Sequence, residues 1–462
     1  MKVNACAVAA LAGTLCAAPA LASGLSAPSV IFSEISFSPT SAVPGLGGAL
    51  FDSFDRLYLS PDGSRYIITA SSDLDTSIDE VLLVGDTASG SASLFVQEGV
   101  TDLGDGELVG FINRRAGIND AGQFVFATNT NGDSSSDEVI VTGDLNSGAL
   151  SVVAREGNPI PGPLGSANNF GSTLDLGGIA QNGDVSFRAP FTVGALPTDQ
   201  DDFLILNGAV LAQEGVTAPG NQAGGASETW DAFDTEDFRT DATGNNWLAQ
   251  GDLSGDTSSD DVLVVNGDVV LQEGSPIINN RVNGPIDSIV EASMDSAGNW
   301  LARGDVDSGE DFLVFNGDIF AATGDAVPGS SGESYSDAVF SATFFSMISN
   351  NNGDVVFGAT TDNPDDGADA VLVFNNELVI ARQGDGVDLD GNGLLDDNVF
   401  IDVFNNDDAV LTDALQYIFT ATLVDSEGIG LGQALITITT PAPGAASLLA
   451  AAGLAATRRR RA

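Results

Sequence analysis

The sequence predicts an all-β protein, a seven-bladed β-propeller built from four-stranded antiparallel blades. One short motif, a small polar turn with glycine followed by a strand, recurs seven times between Ser60 and Ala421. Each copy is followed by the same further strand-like runs, and the two ends of the body supply complementary parts of one repeat. A period of 54 to 62 residues indicates an array of units, none of which buries its apolar face alone.

The first marker of each repeat is the glycine turn and the strand behind it. Its copies read SPDGSRYII, NDAGQFVF, AQNGDVSF, DATGNNWL, DSAGNWLA, NNNGDVVF and TDALQYIF. The turn positions are Gly63, Gly122, Gly183, Gly244, Gly298, Gly353 and, in the seventh copy, Leu415. We expect a tight turn that leads into a buried strand.

Two further strands follow in each repeat. Runs such as DEVLLV at Asp79 and DDVLVV at Asp260 have strand length and composition. Runs such as LFVQEG and VLAQEG come next, often after an Asn-Gly pair as at Asn266-Gly267, a strong hairpin signal because both residues tolerate positive φ. A weaker run upstream of each glycine turn, such as 288–294 or 340–348, completes four strands.

The two ends of the body favour a closed ring. The seventh repeat stops after the run 433–439, one strand short, and the run 29–34 near the N-terminus resembles the missing strand. Such a strand would complete the last blade and remove the open edges. An open solenoid or two stacked sandwiches are the alternatives.

The N-terminus has the pattern of a secretory signal over residues 1–22. Lys2 precedes an apolar run from Ala5 to Ala18, and Ala20-Leu21-Ala22 has the small residues of a cleavage site. Both cysteines of the chain lie inside this segment, so the body cannot form disulfides. We expect an exported protein with its propeller over residues 28–440.

Charge limits the partners of the body. Without the terminal segments the chain has 10 basic and 65 acidic residues, a net charge of −55. Such a field repels nucleic acid and anionic lipid and attracts cations. Solubility alone is the alternative explanation.

The composition also excludes several catalytic chemistries. The chain has no histidine, which excludes imidazole as base or metal ligand, and the body has no thiol. Paired carboxylates for a calcium-dependent polysaccharide hydrolase or lyase are what is left. Tyr335 is the one tyrosine expected in a loop, and Trp230 is the one aromatic residue expected to be exposed for stacking.

One acidic loop has the pattern of a calcium site. Its oxygen donors occur at positions 1, 3, 5, 7 and 9 of a loop with glycine at position 6, and it resembles the calcium loops of dockerins and EF-hands. The predicted ligands are Asp388, Asp390, Asn392, the carbonyl of Leu394, Asp396 and Asp397. Val399 replaces the glutamate of position 12, so Asp397 or another residue must complete the shell. A solvated acidic loop is the alternative.

Weaker versions of this pattern recur between the second and third strands of other repeats. The weaker metal candidates are Asn129, Asn131, Asp133, Asp137, Asp252, Asp256 and Asp260. Tight turns select the same residue types, so turn formation is the alternative. The glutamates that end the repeats, such as Glu98 and Glu156, could form a carboxylate ring, but their recurrence favours a structural role between blades.

The C-terminal segment 441–462 resembles the PEP-CTERM family of bacterial sorting signals. A Pro-containing motif precedes a short apolar stretch and a terminal arginine cluster, formed by Pro441, Pro443, Gly444, Arg458, Arg459, Arg460 and Arg461. The resemblance implies processing by an exosortase-type enzyme, transient membrane contact through the tail, and delivery to the cell surface or extracellular matrix. Ala442 stands where that family usually has glutamate. A plain membrane tail is the alternative, although the stretch is short for a span.

The body resembles uncharacterised, exported bacterial repeat proteins that carry an AREG-D/N-P-x-PG motif. The segment Val153 to Gly162, VAREGNPIPG, carries this likeness, which implies architecture and location and no activity. Together these observations predict an exported, surface-sorted acidic propeller, a non-catalytic binding or matrix protein with structural calcium. Extracellular polysaccharide is its expected partner.

Overall fold

The strands form a ring of seven blades in the part of the chain that a computed structural model describes. The described residues are 25–104, 106–234, 238–277, 282, 284–336 and 342–440. The predicted signal segment 1–22 and the sorting tail 441–462 lie outside them. The all-β prediction is confirmed, since the described helices are two 3₁₀ turns, Pro163–Ser166 and Ala223–Gly225.

The first three blades follow the N-terminal strand in the chain. In chain order the strands are β1 (Ser29–Ser33); β2 (Phe51–Leu59), β3 (Arg65–Ser72), β4 (Glu80–Asp86) and β5 (Ala92–Gln97) of blade 1; β6 (Val109–Ile118), β7 (Gln123–Thr130), β8 (Glu138–Asp144) and β9 (Leu150–Arg155) of blade 2; and β10 (Asn168–Asn169), β11 (Asp175–Ile179), β12 (Val185–Ala189), β13 (Val193–Gly194), β14 (Phe203–Leu206) and β15 (Ala209–Gln213) around blade 3. In blade 3 the short strands β10 and β13 form a separate two-stranded sheet.

The remaining four blades continue the same order. They contain β16 (Trp230–Phe233), β17 (Arg239–Thr240), β18 (Trp247–Leu253), β19 (Asp261–Val265) and β20 (Asp268–Gln272) in blade 4; β21 (Ile286–Met294), β22 (Trp300–Val306), β23 (Asp311–Phe315) and β24 (Asp318–Ala322) in blade 5; β25 (Phe344–Ser349), β26 (Val355–Thr360), β27 (Ala370–Phe374) and β28 (Leu378–Arg382) in blade 6; and β29 (Val399–Leu411), β30 (Gln416–Asp425) and β31 (Gly430–Thr439) in blade 7. In blade 4 both β16 and β17 pair with β18, so its inner edge is divided.

Blade 7 is completed by the N-terminal strand. β1 pairs antiparallel with β31, with Ser29 opposite Thr437 and Ser33 opposite Ala434. The order of this sheet is β1-β31-β30-β29, whereas blade 1 runs β2-β3-β4-β5. The predicted closure is confirmed, and β1 protects the edge that β31 would otherwise expose.

The recurring turns have the backbone that the sequence predicts. The six turn glycines and Leu415 all have positive φ, between 64° and 87°. Leucine lacks the conformational freedom of glycine. Leu415 nevertheless adopts the same backbone conformation, because the seventh turn has to follow the same path as the other six turns of the ring. The Asn-Gly pairs also have two positive φ values, 54° and 90° at Asn266 and Gly267, as a type I′ hairpin requires.

The apolar core is divided among the seven junctions between neighbouring blades. At the junction of blades 1 and 2, for example, Ile67 and Leu82 pack in one cluster with Phe124 and Phe126. At the junction of blades 7 and 1, Ile418 packs with Tyr66 and with residues of β1. Each blade therefore buries both of its faces against neighbours, and closure of the ring buries the last pair.

The glycine turns lie together at one end of the channel and form hydrogen bonds with one another. We call these seven turns the turn ring; it runs from Ser60–Gly63 in blade 1 to Thr412–Leu415 in blade 7. Its hydrogen bonds between blades are Asp62 N–H to Asp120 Oδ1 (2.8 Å), Asn119 Nδ2 to Ala180 O (3.0 Å), Gln181 N–H to Ala242 O (2.8 Å), Ala242 N–H to Ser296 O (3.0 Å), Ser349 Oγ to Asp295 Oδ2 (2.9 Å) and Asn350 Nδ2 to Thr412 O (3.1 Å). Asn351 donates to Asp413 in blade 7 and to Pro61 in blade 1. The small polar residues of the motif thus hold neighbouring blades together.

At the opposite end, buried acids join blades across their junctions. Glu80 Oε2 accepts the backbone N–H of Ile112 (2.6 Å), and Asp261 Oδ2 accepts that of Ile289 (2.8 Å). Glu138 accepts the N–H of Leu174 in the same way. In each case an acid near the start of the third strand satisfies an inner strand of the next blade; we call Glu80, Glu138 and Asp261 the junction carboxylates.

Burial makes these acids weak. The pKa is raised to about 7 for Glu80 and Asp261 and to about 8 for Glu138. Burial is the largest cause of the increase, and neighbouring carboxylates contribute to it. The backbone hydrogen bonds act in the opposite direction. A folded-state pKa above the unfolded value means that the folded protein holds protons that the unfolded chain releases, so stability falls as the pH rises from about 4.5 to 8.

We therefore expect Glu138→Gln to remove part of this pH dependence. Glutamine keeps an acceptor for Leu174 but carries no charge, and each pKa unit corresponds to about 1.4 kcal/mol. The variant should melt at a higher temperature than the wild type at pH 8 and at nearly the same temperature at pH 5, as measured by circular dichroism. Glu377→Gln, at an exposed turn, should follow the wild type; identical curves for all three proteins would contradict the assignment.

Candidate functional site

The inner strands of all seven blades surround a central cavity of about 280 Å³. Its charged lining residues are Arg56, Arg115, Arg239, Asp241, Glu291, Asp295 and Asp413. The acids among them have hydrogen-bond partners in the protein. Asp241 accepts from Thr243 Oγ1 (2.8 Å) within its own turn, and Glu291 pairs with Arg303 (2.7 Å). These carboxylates thus stabilise the turns and strands that build the channel wall.

The Asp388 loop connects blade 6 to blade 7, and three of its six predicted ligands come together. Carboxylate oxygens of Asp388, Asp390 and Asp397 all lie within 4.8 Å of one another. Asp388 is only 3% exposed, and Asp397, at position 10 of the loop, is the third acid of the group. Three carboxylates at this distance repel one another, and a divalent cation would relieve the repulsion.

The backbone of the loop turns around these carboxylates. Asp388 Oδ1 accepts the N–H of Gly391 (2.9 Å), and its Oδ2 accepts that of Gly393 (2.8 Å). Asp397 Oδ2 accepts the N–H of Leu389 (2.7 Å). Asp390 Oδ1 accepts the N–H of Asn392 (3.0 Å), so all three acids hold the loop in a compact shape.

The other predicted ligands of this loop have different roles. Asn392 Oδ1 accepts the N–H of Leu394 (2.7 Å), and Asp396 Oδ1 lies 3.4 Å from Asn392 Nδ2. The Leu394 side chain is exposed, and Val399 is buried at the start of β29. The structure thus brings together Asp388, Asp390 and Asp397, and gives Asp396 a contact within the loop.

The same loop also contacts the strand that closes the ring. The N–H of Asp388 donates to Pro28 O (2.9 Å), and the N–H of Val30 donates to Asp388 O (3.0 Å). The loop and β1 therefore share a short stretch of parallel pairing at Ser29. Anything that orders this loop also orders the start of β1.

The weaker metal candidates are distributed over turns and strands. The N–H and Oγ of Ser135 donate to Asp133 Oδ1 (3.0 and 2.8 Å), and those of Ser258 donate to Asp256 Oδ1 (3.2 and 2.9 Å). Asn131 Oδ1 accepts the N–H of Leu108 (2.9 Å). Hydrogen bonds from Ser135 lower the pKa of Asp133. These side chains act as turn formers, the alternative that their composition allowed.

The remaining weaker candidates lie in or beside strands. Asn129 belongs to β7 and Asp252 to β18, while Asp137 and Asp260 directly precede β8 and β19. Over the described ranges, the Asp388 loop is where three acidic side chains come close enough to share a metal ion.

Two aromatic residues that the sequence placed in loops are buried in the structure. Trp230 is not exposed: it lies on β16, is only 1% exposed and packs 4.8 Å from the ring of Phe233. The acidic sequence around Trp230 suggested a loop, but the residue belongs to the inner edge of blade 4. Tyr335 is also only 1% exposed, and its hydroxyl donates to Asn376 Oδ1 (2.8 Å). Burial raises the pKa of Tyr335, which disfavours it as a base.

Among the residues that the structure describes, no helix has the length and apolar character needed to cross a membrane.

Known proteins resemble this chain in fold at low sequence identity. The Dos1 propeller shares 10% identity with a TM-score of 0.40, over 86% of this chain and 80% of its own. The β-propeller domain of the Trilobed protease from Pyrococcus furiosus shares 9% with a TM-score of 0.41, over 85% and 95%. An oligogalacturonate lyase from Vibrio parahaemolyticus shares 11% with a TM-score of 0.42, over 85% and 91%.

None of the curated proteins matches the sequence. A family of unknown function, DUF7453, matches residues 40–408, most of the propeller. On this match the chain belongs to the DUF7453 family.

Proposed function

We propose that the protein is an exported, surface-sorted propeller that acts as a non-catalytic binding or extracellular-matrix structural protein, stabilised by calcium. The observation that carries the proposal is the convergence of Asp388, Asp390 and Asp397 in a loop bound to the closing strand. Oxygen ligands from carboxylates suit Ca²⁺, a hard cation. Calcium would hold the loop, and through it the start of β1, in the closed ring.

The rest of the proposal concerns location and partners. The signal pattern over residues 1–22 supports export, and the tail at Pro441 to Arg461 supports processing by an exosortase-type enzyme. Tail contact with the membrane would be transient. The acidic body disfavours nucleic acid and suits calcium-bridged extracellular polysaccharide.

The carboxylates of the channel support binding rather than catalysis. Asp295 accepts from Ser349 Oγ (2.9 Å), and Asp413 accepts from the N–H of Asn351 (3.0 Å). A catalytic acid or base needs a side chain that reaches the substrate. The hydrogen bonds of Asp295 and Asp413 and the burial of Tyr335 favour a structural role for these residues, which are of the types that a hydrolase or lyase would use.

Calcium should stabilise the folded protein through the Asp388 loop. At 100 times the dissociation constant one bound ion contributes about 2.7 kcal/mol, which should raise the melting temperature. Asp390→Asn keeps the acceptor for Asn392 but removes a charge, so it should lower this rise and reduce bound Ca²⁺ by one ion per chain, as measured by calorimetric titration. Glu377→Gln is the control. Equal calcium binding by Asp390→Asn and wild type would identify the loop as a solvated turn.

Deletion of residues 441–462 should move the protein from the cell envelope into the medium. The described fold ends at Thr440, whose N–H donates to Leu415 O (2.8 Å), so the shortened protein should melt at the temperature of the full chain. Cell fractionation with immunoblotting gives the distribution. An unchanged distribution would contradict the sorting proposal.

The purified protein should bind polysaccharide without cleaving it. In Ca²⁺ its migration should slow in gels that contain an acidic polysaccharide, and a chelator should reverse the effect. Reducing ends and unsaturated sugars should stay at the level of a heat-denatured control. Their accumulation would replace the binding proposal with a hydrolase or lyase.

A further inference from the structure

Blades 1 and 2 each place two acids against each other outside the last hairpin. In blade 1 these are Asp79, before β4, and Glu98, after β5; in blade 2 they are Asp137 and Glu156. The backbone brings them together, because the N–H of Glu98 donates to Glu80 O and that of Glu156 to Glu138 O, both at 2.9 Å. The two carboxyl groups of each pair lie within hydrogen-bonding reach.

One oxygen of each pair is buried without a partner. Glu156 is only 9% exposed, and its Oε2 has no hydrogen-bond partner. The equivalent atom, Oε2 of Glu98, is in the same state. A buried carboxylate oxygen normally binds a donor or a cation, because its removal from water is otherwise costly. The same unpartnered atom at the same position of two blades indicates a ligand.

The negative charges around each pair further favour the binding of a cation. Burial is the largest cause of the raised pKa of Glu156, and Asp137 raises it further. Glu138 lies close to both acids, and Asp175 is also near Glu138. The nearest arginine in sequence, Arg155, donates to Glu107 Oε2 and to Ser136 O, each at 2.8 Å. The pair therefore lies in a strongly negative corner.

The position of the glutamate varies among the other blades. Blades 3 and 4 keep an acid pair, Asp201–Glu214 and Asp260–Glu273, and blades 5 and 6 have a neutral residue in place of the glutamate. In blade 3, Glu214 Oε2 accepts the N–H groups of Asp201 and Asp202, both at 3.3 Å. In blade 5, Thr323 occupies the position of the glutamate, and its Oγ1 lies 2.9 Å from Thr343 Oγ1. In blade 6 the position is Gln383. Thr323 and Gln383 show that the blade folds without an acid pair at this position. Among the described residues, Glu98 and Glu156 are the glutamates of this position with a buried oxygen that lacks a partner.

We propose that the pairs Asp79–Glu98 and Asp137–Glu156 each bind one Ca²⁺ ion. The two carboxylates of each pair supply the hard oxygen ligands that Ca²⁺ prefers. Water would complete the shell. This inference extends the calcium part of the proposed function to two further sites, and it rests on export to surroundings that contain calcium.

The test counts calcium ions in a protein whose Asp388 site is disabled. Calorimetric titration of Asp390→Asn with CaCl₂ should still show two ions per chain. Adding Glu98→Gln and Glu156→Gln should remove both, and either substitution alone should remove one. Glutamine keeps the size of each side chain, and circular dichroism at 20 °C checks that the variants are folded. Glu377→Gln in the same background is the matched control and should keep both ions.

The outcomes separate this inference from the Asp388 proposal. Loss of one ion in Asp390→Asn, with no further loss in the double glutamine variant, would overturn the inference and leave the Asp388 site in place; the acid pairs would then share a proton. Equal binding by wild type and Asp390→Asn, followed by loss of two ions, would overturn the Asp388 site and support the inference. Absence of all binding in Asp390→Asn would also overturn the inference.

Discussion

Closure of the ring by β1 is the constraint on which the other contacts depend. The strand is only five residues long, yet it contributes to two junction cores: Val30 packs between blades 6 and 7, and Phe32 packs between blades 7 and 1. Residues two apart on a regular strand would face the same side, but the register shifts between Val30 and Phe32. This irregularity lets one short strand seal both faces of the last blade. Without it, the apolar faces of blade 7 would meet water at their outer edge.

The polar contacts between blades divide into two groups by their position in the ring. At one end, the turn ring uses short side chains and backbone groups, such as Asn119 with Ala180 and Asn350 with Thr412. At the other end, the junction carboxylates accept backbone N–H groups but are buried with few cations nearby. The carboxylate end therefore gains stability when its acids are protonated. The unequal distribution follows from the antiparallel order of the strands, which places all glycine turns at the same end.

The acidic end is also where calcium would act. The Asp388 loop and the acid pairs of blades 1 and 2 occur in connections at the end opposite the turn ring. There like charges are brought together, and a divalent cation would neutralise several at once. The Asp388 loop differs from the pairs in its contact with β1, so an ion there would bear on closure, and an ion at a pair would bear on one blade junction. A protein of this kind would respond to calcium as a scaffold does, by becoming more rigid, with the channel wall unchanged.

The sequence by itself determined the repeat, the number of blades, the glycine turns and the closing strand, because these depend on local periodicity and on turn chemistry that neighbouring residues carry. It also identified Asp388, Asp390 and Asp397, since their spacing within one loop is a local property. Other features depended on contacts between residues far apart in the chain. Trp230 has the acidic neighbours of a loop residue, but it is buried in an inner strand because the ring brings blade 3 against blade 4. The tertiary structure likewise decided three contacts of acidic residues: Asp137 with Glu156, Glu138 with Leu174, and Asp133 with its own turn. Packing determines which carboxylates are buried away from water and which groups form hydrogen bonds with them instead.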